Sequence, residues 1–539
     1  MQRRAAVFLT WALALLTLIP RVAEAKTRPS LVVLVVVDQL GRYYLDRYTP
    51  YLTRGFARLK RGAAFYPNVR YDYANTETAP GHATLSTGAW PSVHGITGNG
   101  WYTAGGAERY SFHDPDVRRG PMNLRVPTMA DALHLATNGR GKVVSISMKD
   151  RAAIALGGRA PELAAWYDKL SGRFIAGSWK GTQAPPAWFN EVALRHLPAD
   201  AFEKTWDHFD DKVDYAQVVG PDDLPYEESV SGFGRTFPRK MGAGLEGPTS
   251  ALWKKRFMLA PQSMDGMVDI ALTAVNEERL GQDDVPDLLA ISFSHLDYAG
   301  HYWGSHSQEA FDMLRRIDAQ LERVMLAVEE SVGGGRVMWV LTADHGATPT
   351  VEAAASLGLP AGRLDPKEIQ QLVDGVLAKR KSGMRLVDLD TPRVFFSPND
   401  DPVERVAAAR AVARALAQHP MIEEAYATAD LDQWPPPYGE RFRRSHYPGR
   451  GGEVAFRIAA HHYPSDLDEN GQVVALGSGH GSPYAYDSDV PVFVRGPGVT
   501  PGEDPRPYTM TQVAPTIAAA LGILPPAAST APPLPAVTR

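Results

Sequence analysis

Leu31 to Val37, LVVLVVV, is an unbroken apolar run that ends on Asp38. Three further runs have the same form. Lys142 to Ser147, KVVSIS, precedes Lys149 and Arg151; Asp287 to Phe293, DLLAISF, precedes Asp297 and His301; Val337 to Ala343, VMWVLTA, runs into Asp344 and His345. Short continuous apolar runs between polar segments are the mark of strands covered by helices on both faces, since no face is left for water. In open α/β sheets the site lies beyond the carboxyl ends of the strands. The four runs therefore predict an α/β fold with a largely parallel sheet sandwiched by helices, and they place charged or metal-ligating residues at its carboxyl edge.

The chain has 539 residues, enough for one large α/β core with insertions. Its formal charge is -5, from 56 basic and 61 acidic residues, so no basic excess points to nucleic acid or an anionic membrane. Any anion must be held by local charges. The opening MQRRAAVFLTWALALLTLIPRVAEA has Arg3 and Arg4, an apolar stretch from Ala5 to Ile19, Pro20, and Ala23-Glu24-Ala25 as a small-residue cleavage site. That is the layout of a secretory signal peptide cleaved after Ala25, and the apolar stretch is short against the ~20 residues that span a bilayer. No membrane anchor is expected, and the mature protein is expected to be periplasmic or secreted. Cleavage removes three Arg and one Glu, leaving 53 basic and 60 acidic residues and a charge of -7. With no cysteine, disulfides and thiolate metal sites are both excluded, which leaves histidine and carboxylate as ligands.

Residues 26–524 are expected to form one catalytic domain with two insertions. The first, about 159–262, is rich in tryptophan and glycine turns and reads either as a cap beside the site or as an extra layer of core. The second, about 350–455, contains a strand-like VFF and then Asp401-Pro402-Val403-Glu404, an N-cap, N1 proline and capping-box glutamate in front of RVAAARAVARALAQH. It predicts a small α/β subdomain. Between them, Leu314, Ile317, Leu321, Val324 and Val328 recur at helical spacing, as in a crossover helix. The Pro-rich residues 525–539 are expected to be disordered.

Asp297 and His301, four residues apart, share one side of a helical turn and can reach one ion. Asp344-His345 is a weak signal alone, a turn carboxylate beside an exposed imidazole. Asp38 at another strand end and His480 within GSGHGS change the odds, because three Asp and three His suffice for two ions of the zinc type. Two such ions clamp the entering and leaving oxygens of an in-line displacement. Thr78, followed by Ala79-Pro80-Gly81, can act as the N-cap of a helix whose free amides attract a phosphate. Metal coordination would make it a nucleophile. The residues alone do not separate Thr78 from Thr76, Thr84 or Thr87. Lys149 and Arg151 after a strand suit an anion, Arg through paired hydrogen bonds and Lys as a point charge. Asn99, between two glycines, reads as a turn residue that can also donate to an oxygen.

Taken in order, Asp38, Thr78-x-Pro-Gly-His82, Gly98-Asn99-x-Trp101, Lys149-x-Arg151, Asp297-x-x-x-His301, Asp344-His345-Gly346 and Gly479-His480-Gly481 resemble the alkaline phosphatase superfamily. Within it they resemble the secreted, phosphate-irrepressible bacterial alkaline phosphatases with a threonine nucleophile, from about Leu31 to Leu521. The resemblance implies an alkaline-phosphatase-like fold and two Zn²⁺ per chain. It puts one ion on Asp297, His301 and His480, and the other on Asp38, Asp344, His345 and the Thr78 hydroxyl. It implies a covalent phosphothreonine at Thr78, with Asn99, Lys149 and Arg151 on the phosphoryl oxygens. His82, His94, His295 and His306 match no ligand position and read as packing or supporting residues.

The expected reaction is hydrolysis of small phosphate monoesters, releasing inorganic phosphate, by a monomeric exported enzyme. A nucleotide pyrophosphatase/phosphodiesterase is the alternative, but a diester replaces one charged oxygen by a bulky group and leaves donors of the Lys149, Arg151 and Asn99 cradle unpaired. Sulfatases need a Cys or Ser and an Arg in C/S-x-P-x-R, which Thr78-Ala-Pro-Gly-His82 lacks. A second alternative is a catalytically silent metalloprotein that captures phosphate.

Overall fold

The four apolar runs become adjacent parallel strands in a computed structural model, which describes residues 28–103, 106–227, 233–380, 382–467, 473–474 and 477–535. The main sheet contains β1 (Leu31–Val37), β2 (Ala64–Arg70), β3 (Val143–Ser147), β4 (Leu163–Asp168), β5 (Arg173–Ala176), β6 (Asp287–Phe293), β7 (Val337–Thr342) and β8 (Asp489–Arg495). Their spatial order is β2-β8-β7-β1-β6-β3-β4-β5, with Gly502–Glu503 and Tyr508–Thr509 added beside β2. The β7-β1, β1-β6, β6-β3 and β3-β4 pairs are parallel. β8 pairs antiparallel with both β7 and β2, and β5 closes the opposite side antiparallel to β4. The register aligns Leu31 with both Asp287 and Val337, so three strands reach the same edge together.

The helices that matter for the site are α1 (Thr78–Thr87), α2 (Asp150–Gly157), α3 (Pro261–Glu277), α4 (His295–Trp303) and α5 (Gln308–Val328). α5 is the expected crossover helix, started by Ser307, whose side chain accepts from the Ala310 amide. Leu314, Ile317, Leu321, Val324 and Val328 are all buried against the sheet. Each such side chain contributes about 1.5–3 kcal/mol relative to exposure.

The first insertion begins later than expected. Leu163–Asp168 continues the sheet parallel to β3, and Arg173–Ala176 hairpins back on it, so the added layer starts after Ala176 rather than at Arg159. Apolar strands and an apolar insertion look alike in composition, which is why the boundary slipped. The layer joins the main core: Trp206, Tyr215, Phe233 and Trp253 belong to the same buried cluster as β1. Buried Asp312 on α5 ties it down by accepting from Trp206 Nε1 (2.8 Å), Tyr215 Oη (2.8 Å) and the Phe209 amide (2.6 Å). These contacts make it a layer of core, and Ser178 and Met258 from the same insertion also line a cavity beside Lys149 and Arg151.

The second insertion has its own core around Val394, Phe396, Val412 and Leu416. Its four strands run antiparallel in the order Leu386–Asp390, Arg393–Phe396, Val454–Ile458, Ile422–Ala427, and the helices Pro366–Arg380 and Pro402–Leu416 pack against them. Its last strand carries it past the expected end near residue 455. Asp401 caps the second helix from the Val403 and Glu404 amides, as its spacing predicts. Glu404, however, pairs with Arg380 Nε (2.7 Å) and Nη2 (2.8 Å), so it links the two helices.

The tail differs from expectation through residue 535. Leu534 is fully buried, its amide donates to Thr516 Oγ1 (2.8 Å), and Gln512 Nε2 donates to the Pro532 carbonyl (3.1 Å). A Pro-rich segment has few amides to satisfy, so one apolar anchor and two hydrogen bonds are enough to dock it. The signal-peptide segment lies outside the described residues. Among the described residues, no helix is long and apolar enough to cross a membrane. Leu534→Ala is expected to lower the unfolding free energy by about 2–4 kcal/mol in chemical denaturation; an unchanged midpoint would show that the tail contributes nothing to the core.

Candidate active site

All four expected strand ends converge on one buried pocket. Asp38 follows β1, Asp297 lies in the first turn of α4 after β6, Asp344 and His345 follow β7, and Lys149 and Arg151 bracket the start of α2 after β3. His480 arrives from the far end of the second insertion. Two groups can each hold a metal ion: Asp297, His301 and His480, and Asp38, Asp344 and His345.

The donor chemistry fits cations. Asp38 Oδ1, Asp344 Oδ2 and His345 Nε2 are buried and make no hydrogen bond. His345 Nε2 lies 3.4 Å from both of those oxygens. His301 Nε2 and His480 Nε2 lie 3.2 and 3.5 Å from Asp297 Oδ1. The opposite nitrogen of each ring faces a backbone carbonyl: His301 Nδ1 on Ser478 (3.0 Å), His345 Nδ1 on Gly346 (2.9 Å), His480 Nδ1 on Thr76 (2.9 Å). A carbonyl can only accept, so Nδ1 carries the proton and Nε2 keeps its lone pair for an ion. The stacked rings of His345 and His480, 3.7 Å between centroids, join the two groups.

Charge in the pocket is lopsided. Burial, followed by repulsion from Asp297 and Asp344, raises the Asp38 carboxyl well above its ordinary range. Burial also acts to raise Asp297, but His301 and Lys149 outweigh it and hold that carboxyl well below. Asp344 is likewise held down against burial, by His345 and His82. Burial keeps His480 and His345 neutral, the form that binds metal. The Lys149 ammonium sits 2.5 Å from both Asp38 Oδ2 and Asp297 Oδ2, bridging the groups.

The competing threonines separate by their partners. Thr76 Oγ1 donates to the Ser482 carbonyl (2.9 Å), Thr84 Oγ1 pairs with His94 Nε2 (3.1 Å), and Thr87 Oγ1 donates to the Ala83 carbonyl (2.6 Å). Thr78 Oγ1 instead faces Lys149 Nζ at 3.2 Å and Arg151 Nη2 at 3.5 Å. Thr78 is the first residue of α1 and not its N-cap; Glu77, in extended conformation, occupies that position and makes no side-chain cap. The Thr78 hydroxyl is thereby left for the pocket. Gly81 allows α1 to approach so closely, because a Cβ there would lie 2.3 Å from the Asp344 carbonyl oxygen.

Asn99 sits across from this turn. Its Oδ1 accepts from the Ala79 amide (3.0 Å), which fixes the amide orientation and leaves Nδ2 as a donor. A cavity of about 410 Å³ opens beside Lys149 and Arg151, walled by Tyr110, Trp166 and Tyr298.

Of the other histidines, His82 supports the site directly. Its Nδ1 lies 2.9 Å from the Thr78 carbonyl and 3.2 Å from Asp344 Oδ2, and its Nε2 meets Ser292 Oγ at 2.9 Å. His295 bonds Ser263 Oγ (2.9 Å) and His306 stacks on Tyr43. Gln39 is a site residue that sequence reasoning missed. Its Nε2 donates to Asp297 Oδ1 (3.1 Å) and its amide to Asp344 Oδ1 (3.2 Å), so it braces both groups. The signal for it was its place directly after a strand-end aspartate.

A parallel sheet with two Asp/His groups at its carboxyl edge, a threonine at a helix start and flanking cations defines a hydrolase of the alkaline phosphatase superfamily. Residues 32–432 match the family described as type I phosphodiesterase / nucleotide pyrophosphatase, and the chain belongs to that family. Alkaline phosphatase PhoV of Synechococcus elongatus is 31% identical over 528 residues, covering 94% of this chain and 92% of its own. Alkaline phosphatase PafA of Elizabethkingia meningoseptica is 28% identical, covering 95% and 96%. The crystal structure of PafA superposes with a TM-score of 0.84 over 95% of this chain and 99% of that one, at 28% identity. Murine ectonucleotide pyrophosphatase / phosphodiesterase 5, at 14% identity and a TM-score of 0.52 over 92% of this chain and 95% of its own, shares the fold.

Gly300 tests the role of Gln39. A Cβ on Gly300 would lie 1.8 Å from Gln39 Oε1, the mobile end of a side chain. Gly300→Ala is expected to push Gln39 off Asp297, lowering hydrolytic kcat/KM about tenfold or more. Helix propensity gains up to about 1 kcal/mol at the same position, so thermal stability should hold. Full activity with an intact fold would show that Gln39 does not position the site.

Proposed function

We propose that this protein is an exported phosphomonoesterase that hydrolyses small phosphate monoesters through a covalent phosphothreonine at Thr78, with two Zn²⁺ per chain. The observation that carries the reading is the Thr78 hydroxyl, set at the start of α1 with Arg151 beside it and with Lys149, which touches a carboxylate of each Asp/His group. Asp38, Asp344, His345 and Thr78 would hold one ion, and Asp297, His301 and His480 the other. Zinc in these positions would lower the pKa of the threonine hydroxyl and neutralise charge on the leaving oxygen.

The chain's own groups do the positioning. Thr78 Oγ attacks phosphorus, the P–Oγ bond forms, and the bond to the leaving alcohol breaks. Water then cleaves the phosphothreonine, giving inorganic phosphate and restoring the hydroxyl. Arg151 and Asn99 Nδ2 face the non-bridging oxygens. Once cations balance Asp38 and Asp297, the Lys149 ammonium is left for the phosphoryl group as well. The N-terminal amides of α1 add a favourable partial charge. The leaving group departs over the His301 side, where that side chain is 35% exposed while the other ligands are nearly closed off.

Two comparisons support the monoester reading. Two relatives of matching length, PhoV and PafA, are alkaline phosphatases. A solved PafA variant is altered at one threonine, one asparagine, one lysine and one arginine, the residue types of Thr78, Asn99, Lys149 and Arg151. The family description names phosphodiesterases. A diester, with one oxygen fewer to bind, leaves part of this cationic cradle unpaired.

Purified mature protein is expected to contain about two zinc ions per chain and to release phosphate from an aryl monoester, losing that activity on chelation. Full activity in metal-free protein would defeat the mechanism. Thr78→Ala should keep its metal and lose most turnover, on the order of 10³-fold or more. Lys149→Ala or Arg151→Ala should depress monoester kcat/KM about tenfold more than diester kcat/KM; equal losses would remove the basis for monoester preference.

A further inference from the structure

We propose that Arg393, on the inserted subdomain, is a positioning residue that holds Asn99 against the substrate and so contributes to ester selectivity. Asn99 stands in a loop, Gly95 to Asn99, with no helix or strand to fix it. Its own amide donates to Glu77 Oε2 at 2.5 Å, and the chain on either side of it is gripped by Arg393. Arg393 Nη1 donates to Thr97 Oγ1 (3.1 Å) and Nη2 to the Gly100 carbonyl (3.2 Å), one bond before Asn99 and one after it. The guanidinium lies flat on the loop, because a Cβ at Gly98 would come within 2.2 Å of Nη2. Asp390 pairs with the same nitrogen and holds the Arg393 fork in place.

The subdomain adds a second grip. The Arg450 carbonyl accepts from Thr97 Oγ1 (3.0 Å), and Arg450 Nη1 donates to the carbonyls of Gly95 and of Asn123, the latter at 2.9 Å. Arg393 is only 5% exposed. Burying a guanidinium is unfavourable unless its geometry is used, and apolar contact would dock a subdomain at lower cost. What the rigid fork does better is fix two further points of a loop that Asn75 Nδ2 on the Thr97 carbonyl (2.8 Å) and the Ser111 amide on the Asn99 carbonyl (3.1 Å) hold only at the backbone. Fixing the loop keeps Asn99 Oδ1 on the Ala79 amide and Nδ2 aimed at a phosphoryl oxygen. The inference rests on the assignment of Asn99 to that oxygen made above.

The test is a double-mutant cycle between Arg393→Met and Asn99→Ala, read as kcat/KM on an aryl phosphate monoester and on an aryl alkyl diester, with metal content measured on each sample. Arg393→Met is expected to lower monoester kcat/KM about tenfold, as a shift of about 1 Å at the cradle does. It should change the diester rate by about twofold at most, keep its metal, and add less than about twofold to the loss in Asn99→Ala. Multiplicative losses, or equal losses on both esters, would overturn the inference. Should Arg393→Met not fold, Arg393→Lys, which keeps the charge and loses the fork, goes through the same cycle under the same criteria. An Asn99→Ala enzyme with wild-type kinetics would instead defeat the assignment of Asn99, and the inference with it; a costly Asn99→Ala with additive Arg393 losses would defeat the inference alone.

Discussion

Three carboxylates buried at one sheet edge set the terms for the rest of the molecule. Asp38, Asp297 and Asp344 are at most 1% exposed; the first two share the Lys149 ammonium, and the third has only the imidazoles of His82 and His345 beside it among the ion pairs of the described residues. At an effective dielectric of about 20, two like charges 4 Å apart repel by about 4 kcal/mol. The protein alone resolves this unevenly, raising one carboxyl and depressing the other two. Divalent cations would resolve it for all three. The backbone around the acids is correspondingly stiff: each follows a fully buried strand, α1 is drawn in until only glycine fits at position 81, and Gln39 bridges Asp297 and Asp344 with a backbone φ of 70°. A position of that kind is unusual for a residue with a side chain and persists where its surroundings over-determine it.

Much of this was legible because a parallel sheet converts sequence order into spatial order so directly. A buried strand has to be apolar throughout, its carboxyl end has to emerge at one edge, and four such runs gave four places to look. His301 followed from helical spacing with Asp297. His480 did not follow from any periodicity; it lies 179 positions beyond His301 and was reached through its glycines and the ordered motif set. The threonine could not be chosen from sequence physics, because Thr76, Thr84 and Thr87 are equally good residues in the same stretch. Thr76 is excluded by the distant Ser482 carbonyl, while Thr84 and Thr87 are bonded within the same stretch, to His94 and to the Ala83 carbonyl. Gln39 and Arg393 were missed because each acts through contacts hundreds of residues away; only Gln39 carried a signal, its place after a strand-end aspartate. Composition also misjudged the tail, where one buried leucine outweighs a dozen residues that look solvated.

The second insertion leaves the sheet from the edge that carries the site, which makes it a neighbour of the chemistry by topology. It departs soon after Asp344 and His345 and returns through His480 before β8. A member of a candidate metal group therefore stands at each of its ends, and the subdomain between them is held to the pocket from both sides. Its docking on the loop from Gly95 to Gly100 adds a third anchor, through Arg393 and Arg450.

On the proposed reading, the two sources of contact to a phosphoryl group differ in kind. Lys149 and Arg151 come from the end of β3 and the start of α2, positions fixed by the packing of the sheet. Asn99 comes from a loop whose shape depends on another part of the chain. Changes in the insertion can move Asn99 without disturbing a strand, whereas moving Lys149 means shifting β3 against β6 and β4. A fold arranged in this way can keep its metal ligands and threonine constant while the number of donors facing the substrate varies. The same two-metal framework can thus serve monoesters, whose three free oxygens use every donor, or diesters, for which one donor is superfluous and a bulky group needs room. In this chain the loop is clamped rather than free, and on the proposed reading the clamp favours the substrate with the extra oxygen.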